Sequence, residues 1–119
     1  MIKEETGFPV RLPHGVLLHV AIYDTPVTVR AAAAQFDPHW LPKDAETGLD
    51  GCYQQDGKKY HVVRFARSAL CLGLVAHESV HIAFRNPTLP IDEFEEDLAQ
   101  RIEQVFKSLH AALTSRGLL

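Results

Sequence analysis

The sequence predicts a small α+β domain of element order β-α-β-β-α-α, and three observations carry that expectation. Residues 16–23 (VLLHVAIY) form a short apolar run rich in branched side chains, the pattern of a buried strand. Gln55-Asp56-Gly57-Lys58 is an Asp-Gly turn between two strand-like segments, which specifies a β-hairpin. Two later stretches, 69–85 and 92–113, carry helical spacing and helix-end signals.

Taken in order, residues 1–15 contain two prolines and two glycines and read as an irregular lead-in. After the first strand, Thr25-Pro26 has the form of an N-cap followed by proline at the first helical position. The helix should cover 27–36 and stop before Asp37-Pro38. Residues 38–48 read as a loop, and 51–54 with 59–66 as the hairpin strands. Ser68 is placed to cap the next helix, which runs to Arg85 and is closed by Asn86-Pro87. A turn at 87–90 leads into the long final helix.

With 119 residues and 46% hydrophobic content, the chain suffices for a single domain, residues 1–119, with a small core. Twelve basic against 15 acidic residues give a net charge of −3, and no Lys/Arg cluster interleaves with aromatics, so no nucleic-acid partner is expected. Cys52 and Cys71 form no CxxC pair. They read as buried thiols of a reduced protein, with a single disulfide as the alternative. The N-terminal residues show no apolar signal-peptide core. The longest apolar run, 69–76, is too short for a bilayer. A cytoplasmic protein without a membrane partner is the expectation.

The chemistry lies in His77-Glu78-Ser79-Val80-His81, an HExxH pentapeptide. In a shuffled chain of this composition, with its seven histidines, it would arise only about 3% of the time. Histidines four residues apart share one helix face and can reach one metal, with the intervening glutamate near enough to handle a proton. On a helical wheel with His77 at 0°, His81 falls at about 40°, Arg85 at about 80° and Glu78 at about 100°. Most other positions from Leu70 to Phe84 are apolar, so the helix reads as buried all round, with one polar stripe that a metal would compensate.

A zinc site needs a third protein ligand, leaving the fourth position open. On the last helix Leu98, Ile102, Val105, Leu109 and Leu113 define an apolar face, and Glu95 falls within it at about 100° from Phe94. Glu93, Glu96 and Asp97 point away. The alternative for Glu95 is a buried salt bridge to Arg85 or Arg67, and Glu96 is the fallback ligand if the first turn rotates.

The segment LVAHESVHIAF followed by DEFEEDLAQRI resembles the gluzincin-type zincins, over roughly residues 59–113. It is most similar to small phage- and prophage-encoded zincin-like proteins and to the ImmA/IrrE-type metallopeptidase domain. The resemblance implies a zincin-like fold, one Zn2+ held by His77, His81 and Glu95, Glu78 as general base, and a peptide or protein substrate. The sequence differs from the peptidase pattern at Glu96-Asp97, where a small residue and Asp or Tyr are usual. Three readings stay open: a zinc metallopeptidase, a catalytically silent zincin-fold protein, binding or structural, of phage type, or a core helix that holds no metal.

Other residues have secondary roles. The 59–66 strand, with Tyr60 and His61, is expected to be an edge beside the cleft where a peptide can pair. Tyr53, Tyr60 or His61 can donate to an oxyanion. His61 or His110 would be the fourth ligand of a closed structural site. His14, His19 and His39 have no partner legible in sequence, and Trp40 reads as a loop anchor.

Overall fold

The structure, a computed structural model, describes residues 2–12, 16–39, 48–57, 60–86 and 94–119, the side chains of residues 94–96 excepted. Its elements are β1 (Thr6–Arg11), β2 (Leu17–Tyr23), α1 (Pro26–Phe36), β3 (Gly51–Asp56), β4 (Tyr60–Ala66), α2 (Leu72–Arg85) and α3 (Phe94–Ser115). A 3₁₀ turn at Arg67–Ala69 joins β4 to α2. The domain is α+β as expected, but its order is β-β-α-β-β-α-α.

The added strand corrects the reading of residues 1–15 as irregular. Along β1, Phe8 and Val10 are buried between exposed neighbours, which is strand periodicity. Gly7 and Pro9 masked it. Proline is tolerated because β1 is an outer strand of the sheet, pairing among the described residues with β2 alone.

The four strands lie in the order β1-β2-β4-β3. β1 and β2 are antiparallel, β2 and β4 parallel, and β3 and β4 antiparallel. The expectation that the 59–66 strand forms an edge is therefore wrong: β4 is central and β3 is the edge. The physical reason stands in the sequence, since every residue of β4 from His61 to Ala66 is buried and a strand covered on both faces belongs inside a sheet. The β3–β4 hairpin itself forms as predicted, with Gly57 at φ 58° in its turn.

Three layers result. On one face α1 packs over Ala21, Tyr23, Cys52, Val62 and Ala66. On the other, α2 and α3 cover Leu18, Ile22, Val63 and Phe65, with Ile82, Leu109 and Leu113 fully buried among them. α1 starts as predicted, Thr25 accepting from the Thr28 amide with Pro26 next in line. α2 starts later than expected: Ser68 sits in the 3₁₀ turn, and Cys71 occupies the N-cap without a side-chain bond. Among the described residues no helix is long and apolar enough to cross a membrane.

α2 is not buried all round. Val75, Glu78, Ser79, Ile82 and Ala83 are enclosed, whereas Val80 and Phe84 remain 44% and 60% exposed. Hydropathy marks which residues tolerate burial, not which face receives a covering layer. Ile82→Ala should therefore cost about 2–5 kcal/mol in denaturant unfolding, and Val80→Ala no more than about 0.5 kcal/mol. Equal losses would place Val80 in the core.

Candidate metal centre

The helical spacing brings His77 and His81 together on α2. Their Nε2 atoms are 3.3 Å apart and their rings meet nearly edge-on, at 71° and 5.0 Å between centroids. Two nitrogens bound to one tetrahedral zinc, each at 2.0–2.1 Å, lie about 3.3–3.4 Å from one another. The pair thus already has the separation that a shared ion requires. Both residues are exposed, His77 by 66% of its side chain, which corrects the expectation of buried imidazoles. Partial burial, with the nearby His77 and Arg85, holds the His81 imidazole below its ordinary pKa, favouring the neutral ligand form.

Glu78 is the buried member. It is 2% exposed, at the rim of the enclosed face of α2, with Oε2 3.9 Å from His77 Nε2. Its Oε1 is buried and has no hydrogen-bond partner among the described residues. Burial pushes the carboxyl up to about 7, against the opposing pull of Arg85. A carboxyl poised there exchanges protons near neutral pH.

A cleft of about 320 Å³ opens between α2 and the start of β3, with His77, Glu78, His81 and Arg85 on one wall and Gly51 and Tyr53 on the other. Tyr53 is among the expected oxyanion donors, whereas Gly51 has no role in the sequence reading. Gly51 permits the close approach: a Cβ there would stand 3.1 Å from the Arg64 carbonyl oxygen and 3.2 Å from Leu74 Cδ1. A glycine opening a strand was the available signal.

Tyr53 is buried and tied in place. Its hydroxyl donates to Gln55 Oε1 at 2.9 Å, lies 2.7 Å from His61 Nδ1 and accepts from Asn86 Nδ2 at 3.1 Å. Asn86 Nδ2 also donates to the Ile82 carbonyl at the end of α2, so this network links β3, β4 and α2. With its hydroxyl proton given to Gln55, Tyr53 is a structural clamp. Its partner His61 is engaged with it, on the α2 side of the sheet. His110 stacks on Phe106 at 5.8 Å, and His19 pairs with Glu4 on β2. His39 is exposed.

Among the described residues no set of three or more His, Cys, Asp or Glu is placed to hold a metal ion. Glu95 and Glu96 lie in the first turn of α3, but their side chains, and all of Glu93, His14 and Trp40, fall outside the described residues. Asp97, which the wheel turned to solvent, is half-buried, and its Oδ2 is enclosed without a partner among the described residues. The buried line of α3 runs through Arg101, Val105, Leu109 and Leu113 in steps of four, drifting about 40° per step. One wheel averaged over the helix therefore misplaces its first turn. Cys52 is buried with its thiol pushed up to about 12, and Cys71 is exposed; both are free.

No protein-family model matches the chain, and neither a curated protein nor a solved structure matches it significantly.

The raised carboxyl sets the sign of a pH effect. Between about 4.5 and 7 the folded, metal-free chain binds a proton at Glu78 that the unfolded chain has released. The contribution is complete below 4.5 and lost as pH rises through 7. Relative to Glu78→Gln, metal-stripped protein should lose up to about 3 kcal/mol between pH 4.5 and 8. Parallel stability profiles for the two chains would show a solvated carboxyl.

Proposed function

We propose that the protein is a zinc-dependent, metallopeptidase-like hydrolase of peptide bonds. The observation that carries this reading is the 3.3 Å pair of imidazole nitrogens beside a buried carboxyl, at a cleft walled by an edge strand. His77 and His81 would hold the ion, and the resemblance to gluzincins nominates Glu95 as the third ligand. Bound zinc supplies Lewis-acid polarisation of a carbonyl and acidifies water. Glu78 takes the proton released on attack and returns it to the leaving amine. Among the described residues β3 pairs with β4 alone. Its other edge offers main-chain groups to an extended peptide, so the docking role assigned to residues 59–66 passes to β3.

One observation favours the silent zincin reading. Glu78 is almost wholly enclosed, and a base must reach the proton it moves. The two readings part in one set of measurements. Elemental analysis should find close to one zinc per chain, lost in His77→Ala. Glu78→Gln should keep the zinc and lose cleavage of an unstructured protein substrate by about 10²–10⁴-fold. Zinc without cleavage in the unaltered chain would decide for the silent protein, and protein that cannot be loaded with zinc would remove both readings.

A further inference from the structure

The opposite face of the sheet holds a second cavity, of about 390 Å³, between α1 and strands β2 and β4. Arg64 of β4 lines it and is only 6% exposed. Its guanidinium carbon lies 5.1 Å from the centroid of the Phe36 ring on α1. Its Nε is enclosed without a hydrogen-bond partner, and no carboxylate among the described residues forms an ion pair with it. The carboxylate of the cavity lining, Glu4, is instead held by His19 at 3.0 Å.

An enclosed guanidinium without a counter-charge is unfavourable, and the ring of Phe36 recovers only part of its lost hydration. Its fork of donors fits the paired oxygens of a carboxylate or phosphate. Around it the cavity is mixed in character. Phe36 and Val62 give apolar walls, and Tyr23 contributes a phenol that burial keeps in its neutral, donating form. The volume is in the range of small-molecule sites. We propose that this cavity binds a small organic oxyanion, its acid group on Arg64 and its apolar body against Phe36 and Val62. The proposal is independent of the metallopeptidase reading, because α2 and the histidine pair lie across the sheet.

The test uses the full chain stripped of metal, so that no anion can bind through an ion at His77 and His81. Benzoate and phenyl phosphate are titrated against chloride at matched ionic strength, following the melting temperature and the Arg64 Nε–H resonance. One or both should raise the melting temperature by several degrees in a saturable way and shift that resonance; which of them does so separates carboxylate from phosphate as the ligand. Arg64→Met should abolish the stabilisation by anion without lowering the melting temperature in its absence, since a methionine fills the space without a charge. An unmoved Arg64 resonance in both titrations would overturn the proposal, whether or not Arg64→Met folds. So would stabilisation that survives Arg64→Met, or a variant whose basal melting temperature falls with no anion effect in the parent chain.

Discussion

The candidate centre depends on how closely α2 lies against the start of β3. That contact encloses Glu78 while leaving the imidazoles one turn apart at the surface, so one short motif yields two exposed imidazoles and one desolvated carboxyl. Gly51 suits the approach, because a Cβ there would stand tightly against Leu74 of the helix and the Arg64 carbonyl of the neighbouring strand. The Tyr53–Asn86 hydrogen bond fixes the far end of the helix to the same strand. The cleft is therefore held at both ends by interactions of β3, an element whose chemical residues carry no recognisable motif.

What could be read from the sequence follows from the range of each signal. Local signals held: the Thr25-Pro26 helix start, the Asp-Gly hairpin and the i, i+4 histidine pair each depend on a few neighbouring residues. Signals that depend on a distant layer failed. Val80 and Phe84 are as apolar as Ile82, and only the position of α3 and the sheet decides which is covered. β1 was hidden because Gly7 and Pro9 suppress strand propensity, and its hydrogen bonds come from β2. Asp97 falls on the wrong side of the wheel because the buried line of α3, through Arg101, Val105, Leu109 and Leu113, drifts along the helix.

The two faces of the sheet divide the polar chemistry. On the α2 side a carboxyl is enclosed beside two imidazoles and lacks, among the described residues, a positive partner at hydrogen-bond distance. On the α1 side a guanidinium is enclosed beside the Phe36 ring and, among the described residues, forms no ion pair with a carboxylate. The two groups lie on opposite sides of the sheet and cannot satisfy each other. Burial drives the carboxyl towards its neutral form, whereas the guanidinium has no neutral form to adopt, and a fold this small has little hydrophobic stabilisation with which to offset either desolvation. Both positions are most simply understood as halves of sites completed by something from solution, a cation in the first case and an anion in the second.

The central claim is that the histidine pair on α2 shares one metal ion. Crystals grown from zinc-loaded protein, with anomalous scattering recorded on both sides of the zinc edge, test it most directly. A shared ion gives a single zinc peak about 2.0–2.1 Å from Nε2 of both His77 and His81, with Glu78 outside its coordination sphere. Zinc-loaded crystals with no peak between the two imidazoles, or with Glu78 as a ligand, would contradict it.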